Sequence, residues 1–111
     1  MDTYYKPEHL ADFAKIGQAG SPDLARAFFA YYGDVFKDGA LSEREKSLIA
    51  LAVAHAVQCP YCIDAYTTAS LSKGADMDQL TEAVHVAVAI RGGASLVHGM
   101  QMVEAAQKKG M

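Results

Sequence analysis

Leu48-Ile-Ala-Leu-Ala-Val-Ala-His-Ala-Val57, followed after Gln58 by Cys59-Pro60-Tyr61-Cys62 and then by Ile63-Asp-Ala-Tyr-Thr-Thr-Ala-Ser-Leu71, is the stretch that decides the fold. Both flanks read as helix, which places the cysteines near the N-terminus of the second one. Pro60 suits that first turn, where an N–H has no intrahelical partner to lose. The positive end of the helix dipole there favours a thiolate. Cys59 and Cys62 are the only two cysteines in the chain. Separated by two residues, they can close a small disulfide ring in which one thiol is activated and the other resolves. The plain alternative is two buried cysteines packed as small hydrophobes. A lone pair with a proline between its members favours redox use. A zinc site would need two more soft ligands, and the closest histidines, His55 and His85, do not stand at a standard zinc spacing. Neither metal nor cofactor is expected.

Working outward, Ser42-Glu-Arg-Glu45 has the S-x-x-E form of a capping box, so the third helix is predicted from near Glu43 to just before Cys59. The fourth runs from Pro60 to Lys73-Gly74, a basic residue followed by a glycine cap. Upstream, Pro7 to Ile16 reads as a first helix with Leu10, Phe13 and Ala14 on one face, ending at Gly17. Ser21-Pro22-Asp23 opens a second helix, with Ser as cap and Pro at the first helical position. Its Leu24, Phe28, Tyr31, Tyr32 and Val35 read as core or subunit contact, and Lys37-Asp-Gly39 ends it. Downstream, Asp76 caps a fifth helix through Ile90, with Leu80, Ala83, Val84, Ala87 and Val88 apolar. Arg91-Gly92-Gly93 punctuates it, and a sixth helix runs from about Ala94 to Lys108. No stretch alternates as a strand would. The expectation is one all-α domain of about six helices, with residues 1–20 an N-terminal helix and loop and residues 21–111 the main helical part.

Hydrophobic residues make up 51% of 111, more than so short a chain can bury by itself. Some helix faces are therefore expected to bury against other subunits, making the protein an obligate oligomer. A net charge of −3 with no basic block argues against nucleic acid and anionic membranes. No apolar run reaches the length of a membrane span without polar interruption, and Met1-Asp-Thr-Tyr-Tyr-Lys6 does not read as a signal peptide. A cytoplasmic protein is expected, where a lone C-x-x-C is more often catalytic or redox-sensing than a permanent staple.

Leu41-Ser-Glu-Arg-Glu-Lys-Ser-Leu-Ile-Ala-Leu-Ala-Val53, then Cys59-Pro-Tyr-Cys62-Ile-Asp-Ala-Tyr66, then Gly74-Ala75 and Arg91-Gly-Gly-Ala94 resemble the alkylhydroperoxidase D-like, or carboxymuconolactone decarboxylase, family. The likeness runs from about residue 20 to residue 100 and is closest to the small C-x-x-C-bearing branch. The whole-chain pattern also resembles the peroxidase-like proteins associated with arsenosugar biosynthesis. This resemblance implies an all-α fold, a cysteine pair at a helix start, and assembly as a homo-oligomer, a trimer or hexamer. It also implies thiol-dependent peroxidase or disulfide-reductase chemistry.

Carried over position by position, the family motif is incomplete here. It places a Glu ahead of C-x-x-C with eleven residues between them, and a His after it with three residues between, as a relay that deprotonates the second cysteine. Cys59 and Cys62 match, but Ser47 stands at the Glu position and Tyr66 at the His position. Glu45, two residues earlier, points about 200° away on a helix and reads first as a capping acid, with a relay role as the alternative. Tyr66, one turn beyond Cys62, can face both sulfurs. Its phenol is a poor base at neutral pH but can donate a hydrogen bond to a thiolate or a peroxide oxygen. The alternative is a packed core tyrosine. His55, one turn before Cys59, leads the histidines that could serve as base, ahead of His85 and His98. Each by itself reads as a core or interface histidine. Arg91 is expected to hold a helix C-terminus or meet a neighbouring subunit.

The resemblance implies that Cys62 attacks a hydroperoxide and becomes a sulfenic acid, that Cys59 resolves it as a disulfide, and that an external dithiol resets the pair. A small disulfide is the other substrate expected. Two other functions stand beside this one. The first is a non-catalytic, redox-responsive assembly protein. The second is a muconolactone decarboxylase-type lyase, against which the cysteine pair argues.

Overall fold

The computed structural model describes residues 6–110. A 3-10 helix, Pro7–Gln18, is followed by α1 (Pro22–Val35), α2 (Glu43–Ala56), α3 (Pro60–Ser72) and α4 (Met77–Lys108), with no strand among the described residues. The all-α expectation holds. Five helical segments stand where the sequence predicts six, because the segments expected on either side of Arg91-Gly92-Gly93 are one continuous helix of 32 residues. Two adjacent glycines cost about 1 kcal/mol each against alanine inside a helix. They do not supply a stop here, since no capping residue or turn accompanies them and the ladder on both sides is long. Met77–Lys108 is long and apolar enough to cross a membrane by length and composition, with Arg91 interrupting it near its middle.

Helix boundaries follow the capping chemistry. The Ser42 hydroxyl accepts the Glu45 N–H at 3.1 Å while the Glu45 carboxylate accepts the Ser42 N–H at 2.8 Å, closing the expected box at the start of α2. Those bonds favour the ionised carboxylate and hold the Glu45 pKa below its ordinary value. Asp76 and Gln79 make the same reciprocal pair at the start of α4 (2.9 and 3.0 Å). Ser21 sits at the cap position of α1 without a side-chain cap bond; its carbonyl accepts the Leu24 N–H instead, and Pro22 takes the first turn.

α2 and α3 end alike. After α3, Gly74 turns left-handed at φ 92°, its N–H bonding to Leu71 O and the next N–H, from Ala75, to Ser70 O. After α2, the same pair of bonds runs from Gln58 to His55 O and from Cys59 to Ala54 O. Here the left-handed residue is Gln58, at φ 57°. Both are Schellman turns, and the second delivers the chain directly into the cysteine pair.

The core is thin. Leu51, Ala54, Ala75, Leu80 and Ala87 are its buried apolar residues among those described, and Ser47 and Ser70 are buried with them. α2 lies centrally, packed against α3 on one side and the first half of α4 on the other. The 3-10 helix rests chiefly on α1 and reaches α3. Gly17 permits that approach, because a Cβ there would collide with the Ala25 Cβ. The first helix thus winds as 3-10 and runs to Gln18; the side chains of Leu10, Phe13 and Ala14 lie outside the described part, as do Met1 to Tyr5 and the signal-peptide reading placed on them. α1 has no fully buried residue: Leu24, Phe28, Tyr31 and Val35 are exposed, and Tyr32 is half-buried. Beyond Ala87 no residue of α4 is buried, and Val88, Ile90, Leu96, Val97, Met100, Met102 and Val103 are all exposed.

Candidate active site

Cys59 is the N-cap of α3 and Pro60 its first residue. The Cys59 sulfur accepts the Cys62 N–H at 3.2 Å, as a capping oxygen would, so a thiolate at Cys59 would be held by an amide donor and by the helix dipole. Cys59 and Cys62 are disulfide-bonded, with Cα atoms 5.3 Å apart. Arg91, from the middle of α4, donates to the carbonyl of Ala56 at the end of α2. Of its two expected roles it takes the first, tying α4 to the turn that carries the cysteines.

Two cavities flank the pair. One, of about 630 Å³, lies between α1 and α2 and is bordered by Val35, Leu41, Lys46, Ile49, Val53 and Val57. The other, of about 560 Å³, lies beneath the 3-10 helix and is bordered by His9, Asp12, Ile16, Phe29, Cys59 and Tyr61. Tyr32, Cys62 and Tyr66 border both, forming the partition between them. Cys62 thus faces two chambers, whereas Cys59 borders the second alone.

The partition is built from aromatic packing. Tyr66 stacks on Phe36 with ring centroids 5.1 Å apart, Phe36 meets Tyr32 at 5.2 Å, and the hydroxyls of Tyr32 and Tyr66 are hydrogen-bonded to each other. Burial first, and the Tyr32 bond second, push the Tyr66 pKa well above its ordinary value. The raised pKa keeps the phenol protonated near neutral pH, where it is a poor base and can offer its O–H as a donor.

The site brings together Cys59, Cys62 and Tyr66. Ser47 is fully buried in α2, Glu45 is exposed in its capping box, and His85 and His98 are exposed on α4. His55 is half-buried with Nδ1 bonded to the Leu51 carbonyl at 2.8 Å, one turn back, and it borders neither cavity. Among the described residues no group of three or more His, Cys, Asp or Glu side chains converges to hold a metal. Among the cavity-bordering residues absent from the sequence-based list are Tyr32, Lys46 and His9. Tyr32 stands in an aromatic run that reads as core, and its bond to Tyr66 spans 34 positions. His9 precedes the stretch that carries the family likeness, and its partner Tyr61 is 52 positions away. Neither leaves a local signal.

A four-α-helix body with a C-x-x-C at the start of one helix matches known proteins in both sequence and shape. Residues 22–105 match the model of the carboxymuconolactone decarboxylase family. The chain belongs to this family. It is 41% identical over 92 residues to uncharacterized protein 4 in the cox locus of Paracoccus denitrificans, covering 83% of this chain and 82% of that one. A crystal structure of a protein from Methanobacterium thermoautotrophicum superposes with a TM-score of 0.70 at 33% identity, over 73% of this chain and 91% of that one. An apo carboxymuconolactone decarboxylase family protein from Legionella pneumophila gives 0.64 at 35%, over 91% and 87%. The matched family region begins at Pro22, so the 3-10 helix and its His9 lie outside it.

Proposed function

We propose that this member of the carboxymuconolactone decarboxylase family is a thiol-dependent oxidoreductase that reduces organic hydroperoxides with the Cys59/Cys62 pair. One observation carries the reading: the disulfide-bonded pair stands at a helix N-terminus with Cys62 open to an apolar chamber on each side. The Cys62 thiolate attacks one peroxide oxygen; the O–O bond breaks and the second oxygen leaves as an alcohol after taking up a proton. Tyr66 donates a hydrogen bond to that leaving oxygen while its own oxygen accepts one from the Tyr32 hydroxyl. Cys59, stabilised as thiolate by the Cys62 N–H, then attacks the Cys62 sulfenic acid, forming the disulfide and releasing water. A dithiol resets the pair, a cycle that suits a reducing compartment such as the cytoplasm. Small disulfides are the alternative oxidants.

The test is a stopped-flow titration of free thiols with tert-butyl hydroperoxide, in wild type and Cys62→Ser. Rapid loss of both thiols in wild type, abolished by the substitution, is the expected result. Thiols that resist peroxide yet oxidise with a small disulfide would reassign the site to disulfide exchange. Thiols inert to both would end the redox reading.

Assembly belongs to the same proposal. The apolar second half of α4 has no cover within the chain, and we assign it to contacts between copies, in a trimer or hexamer.

A further inference from the structure

We infer that His9 is the proton acceptor of the reductive half-reaction and that the chamber beneath the 3-10 helix is the entrance for the dithiol reductant. This rests on the cysteine pair's cycling, though not on the identity of its oxidant. Three observations meet here. The relay positions of the family motif hold Ser47 and Tyr66, neither of them a base at neutral pH, so the site needs another. Cys59 borders only this chamber, and His9 borders it too. His9 Nδ1 lies 3.3 Å from the Tyr61 hydroxyl, and Tyr61 stands between the two cysteines in sequence. With Nδ1–H donating to the Tyr61 oxygen, Nε2 keeps its lone pair and can accept a proton.

The step balances as a two-electron exchange. The first thiol of the reductant gives its proton to His9 Nε2 and attacks the Cys59 sulfur. A bond forms between reductant and Cys59, the Cys59–Cys62 bond breaks, and its electron pair goes to Cys62, which takes the proton from His9. The second reductant thiol, losing its proton to solvent, then displaces Cys59 as thiolate, held by the Cys62 N–H and later reprotonated from solvent. The reductant leaves as its own disulfide. Other titratable groups on this chamber are Asp12 from the 3-10 helix, paired with Lys15 at 3.0 Å, Tyr32 from α1, and Tyr61 and Tyr66 from α3.

The test reduces diamide-oxidised protein with dithiothreitol in quenched flow, counting alkylated thiols by mass spectrometry across pH. His9→Gln is expected to slow reduction by about tenfold or more near pH 7. Near pH 9, above the free thiol pKa of about 8.5, the reductant ionises without help and the rates converge. Tyr61→Phe, which keeps His9 but removes the partner of its Nδ1, should show an intermediate deficit with the same convergence. An unchanged rate near pH 7 overturns the proposal, and so does a deficit of equal factor at every pH, which marks a merely structural role. Because diamide supplies the disulfide, a protein inert to peroxides would still answer the question.

Discussion

Tyr66 is where a single side chain separates chemistry from packing. Its ring stacks on Phe36 and its hydroxyl is tied to Tyr32. Tyr66→Phe preserves the stack and removes only the donor, so loss of the bond to the leaving oxygen should slow peroxide reduction by roughly tenfold, the worth of one hydrogen bond to a charged group. Stopped-flow oxidation of the reduced variant measures this. A slower rate accompanied by an equal slowing of disulfide reduction would argue for packing instead. The same phenol leaves a mark on stability. Its pKa is raised in the folded state, so the stabilisation it contributes is complete below the ordinary tyrosine value of about 10 and is lost as pH climbs above it. Urea midpoints should therefore fall above pH 10 in wild type, and less steeply in Tyr66→Phe. Ser70 is the converse case. Its hydroxyl is buried with no partner, so Ser70→Ala should leave stability unchanged or raise it by up to about 1 kcal/mol by equilibrium unfolding. Motif register alone brings Tyr66 and the two cysteines to the site. Tyr32 and His9 are invisible at this scale, because tertiary packing, with separations of 34 and 52 positions, is what brings them to it.

At the level of the helices, the sequence was most legible where local hydrogen bonding fixes an end. The Ser42/Glu45 and Asp76 caps, Pro22 and Pro60 in first turns and Gly74 after α3 all stand where their chemistry predicts. Gly92-Gly93 misleads because glycine only weakens a helix, whereas ending one takes a partner for the orphaned carbonyls. Gln58 is the reverse: a turn that carries no glycine to announce it. A left-handed non-glycine residue costs on the order of 1 kcal/mol, yet Gln58 adopts φ 57° because the two Schellman bonds demand it. Gln58→Gly should raise unfolding free energy by about 0.5–1 kcal/mol, read from the denaturant midpoint, with the disulfide and activity intact. Arg91 belongs to the same junction, since its guanidinium satisfies the Ala56 carbonyl ahead of that turn. Arg91→Ala should loosen the approach to Cys59 and slow both half-reactions together, while Arg91→Lys recovers part of each.

The whole molecule is open for its length. Its radius of gyration is 18.9 Å, where a compact chain of this length has about 13 Å. The accessible surface is 8475 Å², against about 5,900 Å² for a folded monomer of 11.9 kDa. The excess, roughly 2,500 Å², is of the order an obligate interface buries. Composition makes this legible in the sequence, since 51% hydrophobic content outruns what the thin core takes up. Where the surplus sits is not legible, because that depends on α4 continuing past Arg91. A bilayer is the competing cover for so apolar a helix, but any span within it would carry the charged Arg91. Light scattering after gel filtration should thus find a trimer or hexamer without detergent, and Leu96→Glu with Met100→Glu should reduce it to monomers of lower stability. The glycines give a second handle. A Cβ at Gly92, Gly93 or Gly99 would meet nothing within its own chain. In an isolated helix, Gly93→Ala should therefore stabilise by about 1 kcal/mol. If another copy's backbone lies against that face, the same substitution should instead weaken assembly. A variant that gained stability and kept a monomeric mass, in a wild type that was monomeric too, would refute the subunit contact and leave α4 in need of another partner.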